Sequence, residues 1–481
     1  MRSTHRAAFT ALVAAGLLIA ACGSDKKSES TSAATTTAGG AAAGAATTTA
    51  AGAATTAASG GGSATTAGGA AGSSLVDGKI QCNQQYKGKK VTLFSSIRDV
   101  EADKLAKAYD AFEKCTGADV EHEGSGEFEA QLKVRIDGGN APDIAVIPQP
   151  GLMTDLARQG KLVAEPEVGQ YVKDNFLAGY DQIGSVDGQF YGAPLSANVK
   201  SLVWYNPQKF KEKGYTVPTT LDELMTLSKK IQADGGKAWC NGIESGTATG
   251  WPVTDWLEDF VLRLDGTDVY DQWTQHKIPF NDPKIKTAAD AVGSYILNDD
   301  FVKGGVKSAA VTSFQNGGLP ILDGGCYMYR QASFYANQFP KGTDISENGT
   351  ANWFYLPVAK AGDPKVMLTG GEFMAITKGN DRPEVKDTQL FMTSADYANA
   401  RAAEGAWISA NKGLKIDQIP AKSDQDFANL LLGSDVARFD GSDSMPGAVG
   451  SGTFWKQATA WITGQSTADF LNNVEASWPK S

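Results

Sequence analysis

At 481 residues, 42% hydrophobic and formally −10 at neutral pH, the chain is too long for one ordinary core and implies two lobes. Without the two arginines of the N-terminus the balance is more acidic still, and no basic block follows Lys26-Lys27. Phosphate recognition needs a positive footprint, so the charge argues against a nucleic-acid partner.

Arg2 and Arg6 precede an apolar run over 7–21 that ends at Cys22. The run is too short to span a membrane and has the layout of a secretory signal. Leu18-Ile19-Ala20-Ala21-Cys22 is similar to a bacterial lipobox, in which the Cys takes lipid and becomes the first residue. Residues 1–21 are therefore expected to be a signal peptide, and 22–85 a lipidated Cys followed by a tether. From 31 to 74 only Ala, Thr, Gly and Ser occur, which cannot build a core. Such a tether lets a folded body stand off a lipid anchor, or else crosses a thick wall layer.

Cys82, Cys115, Cys240 and Cys326 follow Cys22, and an even number in an exported chain suggests two disulfides. Cys82 precedes the first predicted strand and Cys115 ends the first predicted helix. Cys82–Cys115 is thus the local pair, leaving Cys240–Cys326. A metal site is the weaker reading, since neither His122 nor His276 sits beside a cysteine.

The folded body begins by alternating. Strands are predicted over 91–95, 118–122 and 143–147, with helices over 102–115 and 127–136 and a third through Leu152 and Leu156. Strict alternation makes a parallel sheet with covering helices. Such sheets bind ligands where loops converge at the carboxyl ends of the strands. Three loops fall there: Ser95-Ser96-Ile97-Arg98-Asp99, Gly124-Ser125-Gly126-Glu127-Phe128 and Pro148-Gln149-Pro150-Gly151. Gly124-Ser125-Gly126 lacks the third glycine of a dinucleotide fingerprint and follows the second strand, so no nucleotide cofactor is expected.

A second α/β lobe follows. Strands are predicted over 189–193, 202–206, 239–243 and 320–323, and a helix over 222–231 is capped by Thr220. Gly250-Trp251-Pro252-Val253-Thr254-Asp255-Trp256 opens another helix, with Trp256, Leu257, Phe260, Val261 and Leu264 at three-and-four spacing. Thr254 or Asp255 can cap its first turn. A flat indole beside a fixed carboxylate suits a sugar, since the ring covers a C–H face and the carboxylate takes hydroxyl hydrogens. A helix whose two indoles simply fill core fits the same letters.

Further pieces recur in order: Gly124 to Glu129, Pro142-Asp143-Ile144-Ala145, Pro150-Gly151, Gly188-Gln189-Phe190-Tyr191-Gly192, the 250–256 stretch, Gly370-Gly371-Glu372-Phe373 and Ser442-Asp443-Ser444-Met445-Pro446. Together they resemble an extracellular solute-binding protein of an ABC sugar importer, in the maltose-binding-like family and its alpha-glucoside-binding branch. The likeness runs from about residue 88 to the C-terminus. It implies a two-lobed, periplasmic-binding-protein-like α/β fold with discontinuous lobes and a hinge. The first lobe would be 86–195 with 370–412, and the second 196–369 with 413–481. It implies, too, a lipid-anchored monomer without cofactor or metal that closes over a carbohydrate and delivers it to ABC permease subunits.

Within that resemblance the stacking candidates are Trp251, Tyr191, Trp353 and Phe373, then Trp407 and Trp256. The polar candidates are Asp255, Glu372, Asp443, Glu127 and Arg98. Each has a plainer role. Tyr191 and Phe373 lie in strands, where aromatics are usually core. Gly370-Gly371 before Glu372 can mark a simple turn, and Asp443 can close an Asx turn. Trp455 reads as a packing residue of the last helices. Arg98 and Asp99 would suit the charged ends of an amino acid, which keeps another small solute open, and a surface adhesion protein would also fit the tether. An enzyme is disfavoured: the sequence offers no Gly-x-Ser-x-Gly elbow with a suitable histidine and no metal-ligand cluster, and its carboxylates have no evident glycosidase spacing.

Overall fold

The computed structural model describes residues 75–433 and 436–480; the expected signal peptide, Cys22 and the expected tether over 31–74 lie outside them. The predicted alternation forms β1 (Lys90–Ser95), α1 (Asp99–Thr116), β2 (Asp119–Gly124), α2 (Phe128–Asp137), β3 (Ile144–Ile147) and α3 (Pro150–Arg158). β1 runs parallel to both β2 and β3. On α1, Leu105, Ala108, Tyr109 and Phe112 are buried at helical spacing, and Gly117 at φ 79 ends the helix with its N–H on the Glu113 carbonyl.

This sheet is completed from far along the chain. Phe373–Ile376 lies antiparallel to β3, with Phe373 opposite Ile147 and Ile376 opposite Ile144, and Ala193–Pro194 forms the far edge. The segment 369–376 is therefore split between two sheets. Met367–Gly370 instead pairs with Asn198–Val199 and Ala437–Phe439. The break falls at Gly371, where a Cβ would meet the Ser196 carbonyl oxygen at 2.3 Å.

In the second half, Leu202–Tyr205 is the central strand between Met328–Arg330 and Asn352–Tyr355, antiparallel to both. Thr220 begins the helix Leu221–Ala233 with a reciprocal capping box to Glu223. Two predicted strands are not formed. Pro320 lies in a short 3-10 turn, Leu319–Ile321, since proline supplies no ladder donor and fits a first helical turn. The 239–243 segment is held by isolated bridges from Trp239 to Val302 and Met328.

The 250–256 stretch opens the helical segment Trp251–Thr274, which breaks at Gly266 (φ 79, ψ 178), with Gly250 as N-cap at φ 114 and no side-chain cap. Thr254 and Asp255 therefore do not cap it. Gly250 is required twice over, by its left-handed φ and because a Cβ would meet the Trp455 carbonyl oxygen at 2.1 Å. From Pro252 to Arg263 every side chain is buried. Trp256 packs on Trp239 with ring centroids 5.0 Å apart. Asp255, Glu258 and Asp259 form a second stripe at the i, i+3, i+4 spacing of one helix face.

Both expected disulfides are present, Cys82–Cys115 and Cys240–Cys326, with Cα–Cα distances of 4.5 and 5.4 Å. Among the described residues no helix is long and apolar enough to cross a membrane.

Candidate functional site

The three loops after β1, β2 and β3 converge on one wall of a cleft of ≈ 1030 Å³, open mouth included. They contribute Ser96, Arg98, Asp99, Gly126, Pro148 and Gln149, while Glu101, Glu129, Gly371 and Glu372 extend the same wall. The facing wall carries Lys200, Trp251, Phe314, Phe334, Asp440, Asp443 and Trp455. Apolar rings with a few placed polar groups are the usual form of a small-ligand site.

Trp251 stands at the first turn of its helix, with Phe314 edge-on at 5.1 Å and Phe334 tilted at 6.0 Å. Lys200 Nζ lies 5.6 Å from the Trp251 ring centroid, within reach of a cation–π contact. The lysine is buried and pairs with Asp255 at 3.1 Å, Asp443 at 3.8 Å and, closest, Asp440. Burial alone would favour its neutral form. The three carboxylates outweigh that and hold the ammonium well above its ordinary range.

Asp255 itself is fully buried. Its Oδ1 accepts from Lys200 and its Oδ2 from Arg330 at 2.9 Å. Both oxygens are engaged and Asp255 is not among the residues lining the cleft, so the structure places it behind Lys200, which it orients. The network continues inward: Asp259 accepts from Arg330 at 2.5 Å, Arg263 at 2.6 Å and Ser201 at 2.6 Å. Burial raises Asp255 to about 6 against the pull of Lys200 and Arg330. Asp440, which burial would also raise, is held at about 2 by Lys200 and its hydrogen bonds. Asp443 is pushed well up by burial and by Asp440.

On the opposite wall, the Ser196 hydroxyl bonds Glu372, whose carboxyl is pushed up to about 8 by burial and by nearby Glu101. At neutral pH Glu372 therefore keeps its proton and can donate a hydrogen bond. Glu129, raised by burial, accepts from Gln149 Nε2 at 3.0 Å.

Of the residues singled out by sequence, Trp251, Arg98, Glu372 and Asp443 line the cleft. The others are placed elsewhere by packing. Trp256 is core, against Trp239. Phe373 is fully buried in the sheet beside Tyr180 and Phe439. Trp407 is buried against Tyr397 and Arg401, and Trp353 packs on Phe427 at 5.0 Å. Tyr191 is half-buried on the hydrophobic core beside it. Glu127 sits against Gly246 outside the cleft wall, and Glu129 occupies the wall instead. Trp455, read as packing, is a cleft residue.

Sequence reasoning missed Lys200, Asp440, Phe314 and Gln315 altogether. Asp440 stands three residues before Asp443, and the two share one short helical turn in which Asp440 Oδ1 accepts from the Asp443 N–H at 2.8 Å. That spacing was the available signal. Lys200 had none, because a lysine after a two-residue strand looks like solvent-facing punctuation.

Parallel strands whose loops meet a second α/β half across a ligand-sized cleft define a two-lobed binding protein. The chain belongs to the bacterial extracellular solute-binding protein family, whose model matches residues 96–399; it is a family of solute-binding proteins and not of enzymes. It is 38% identical to the osmoprotective compounds-binding protein GgtB of Synechocystis, over 82% of this chain and 93% of that protein. It is 35% identical to the alpha-glucosides-binding periplasmic protein AglE of Rhizobium meliloti, over 82% and 87% of the two chains. Among solved structures, the bacterial solute receptor AcbH superposes with a TM-score of 0.70 at 17% identity, covering 81% of this chain and 98% of that one. Maltose-bound MalE3 of T. maritima gives 0.63 at 18% identity, with coverage of 81% and 98%. Both likenesses concern the fold.

Proposed function

We propose that the protein captures a carbohydrate, an alpha-glucoside di- or oligosaccharide, in this cleft and delivers it to an ABC permease without chemical change. The observation that carries this reading is the pairing of walls. Trp251, Phe314 and Phe334 present aromatic surface on one side, and the loops after β1 to β3 present hydrogen-bonding groups on the other. Ring faces cover sugar C–H surface while polar groups take hydroxyls. The name of AglE, an alpha-glucosides-binding protein, supports the same class of ligand.

Closure of the lobes would expel water and leave any mismatched hydroxyl buried and unpaired, which gives selectivity. Lobes of 86–195 with 370–412 and 196–369 with 413–481 fit the pairing of Phe373–Ile376 with β3 and the packing of Phe427 on Trp204 and Trp353. Acylation at Cys22 would tether a monomer to the cell membrane through the 31–74 linker. A thermal-shift screen of sugars and amino acids tests the ligand class. Stabilisation by maltose, trehalose or sucrose supports it; stabilisation by amino acids alone rejects it.

A further inference from the structure

Two neutral polar groups in the cleft lack a protein partner although they are almost wholly shielded from solvent. Gln149 is 4% exposed and Trp455 3% exposed, and both line the cleft from opposite walls. Gln149 Oε1 and Trp455 Nε1 each have no hydrogen-bond partner. Leaving a buried acceptor or donor unpaired is costly, and at a ligand cavity a bound hydroxyl can relieve that cost.

Their positions are fixed independently of any ligand. Gln149 follows β3 and precedes α3, its carbonyl accepts from the Met153 N–H at 3.1 Å, and its Nε2 donates to Glu129 at 3.0 Å. The free Oε1 is thus the remaining end of an oriented amide. Trp455 stands where the π-helical turn Ala448–Phe454 becomes the helix Trp455–Ile462. Its carbonyl lies against Gly250, the N-cap of the Trp251 helix. The segment that leads to Trp455 is also tied to α3, where the Gly447 N–H donates to Asp155 at 3.0 Å.

We propose that Gln149 and Trp455 form a two-sided hydroxyl clamp that sets ligand specificity: Gln149 Oε1 accepts from a ligand O–H, and Trp455 Nε1–H donates to a ligand oxygen. A hydroxylated edge supplies both functions, because each hydroxyl offers one donor and two lone pairs. A carboxylate satisfies Trp455 but meets the Gln149 oxygen with a second acceptor, and an ammonium satisfies Gln149 but opposes the indole N–H. The clamp therefore disfavours solutes that bring only acceptors or only donors to this edge. It rests on the carbohydrate reading above and adds which atoms enforce it.

The test titrates maltose, trehalose and sucrose calorimetrically into the purified full-length protein, W455F and Q149M. Trp455→Phe keeps a ring and removes the N–H; Gln149→Met keeps length and removes the amide. For whichever sugar the unaltered protein binds, each variant should bind about 3- to 10-fold more weakly, the loss of one hydrogen bond. The ligand-free thermal midpoint of W455F should not fall, because an unpaired buried donor has been removed. Affinities within about twofold of the unaltered protein would overturn the clamp while leaving the carbohydrate reading intact. A lower ligand-free midpoint in W455F with unchanged affinity would also overturn it, marking Trp455 as packing. Absence of binding of all three sugars to the unaltered protein overturns the carbohydrate reading and the clamp together.

Discussion

Lys200 reaches Asp255 at 3.1 Å in the buried base of the cleft, with its ammonium 5.6 Å from the centre of the Trp251 ring. The pair joins the ligand cavity to the interior, because Asp255 passes the contact on to Arg330 and Arg330 to Asp259. Removing one partner of a buried pair leaves an uncompensated charge, at a cost of about 3–5 kcal/mol. Asp255→Asn should therefore lower stability in denaturant melts by a cost of that order, and not act as a ligand-contact change alone. Stability within about 0.5 kcal/mol of the unaltered protein would remove Asp255 from the network's structural role.

Trp251 and Trp256 are five residues apart and should behave oppositely. Trp251 lines the cleft and is only partly buried, whereas Trp256 is core at 4% exposure. Trp251→Ala should weaken sugar binding by about 2 kcal/mol or more, as for an aromatic hot spot, with a modest effect on the ligand-free melt. Trp256→Ala should cost about 3–5 kcal/mol of stability whether or not ligand is present. Calorimetry and melting on the same preparations separate the two roles, and interchanged outcomes would refute the assignment.

Glu372 predicts a pH dependence of known sign. Its carboxyl titrates near the ordinary value of 4.5 when unfolded and at about 8 when folded. The folded state therefore binds the proton more tightly, so this group's contribution to stability falls as pH rises from 4.5 to about 8 and is flat above that. Glu372→Gln abolishes the fall. Between about pH 5 and pH 8.5 the variant should gain about 1–3 kcal/mol relative to the unaltered protein, a span discounted for the partial solvation of the side chain. Parallel stability curves for the two proteins would contradict the shifted titration.

The disulfides should stabilise the fold by constraining the unfolded chain, by about 2–5 kcal/mol each. Replacing Cys240 and Cys326 together by serine opens the longer loop, a separation of 86 residues against 33 for Cys82–Cys115. Its loss should be the larger of the two in urea melts. A smaller loss than for Cys82–Cys115 would mean that native-state geometry, not loop length, governs.

The alternating half of the fold was legible because strand and helix periods, turn glycines and proline positions all agreed over 90–160. The loops that build one cleft wall followed directly from that topology. The opposite wall was legible only at Trp251 and Asp443. Phe314, Phe334 and Trp455 come from three distant segments, and no local period distinguishes a ring facing a cavity from one facing a core. The first acid of the Trp251 helix misled for a related reason. Asp255 reads as a free acceptor beside Trp251, yet Lys200 and Arg330 arrive from elsewhere in the chain and bury it. Phe373 misled in the opposite sense, since its ring is fully buried against Tyr180 and Phe439.

The central claim, a carbohydrate held against Trp251 between two lobes, is tested most directly by calorimetric titration of the best-stabilising sugar into the unaltered protein and Trp251→Ala. Saturable binding of one sugar per chain, weakened about 30-fold or more by the substitution with little change in the ligand-free melt, is the predicted result. Equal affinity in the two proteins would contradict it.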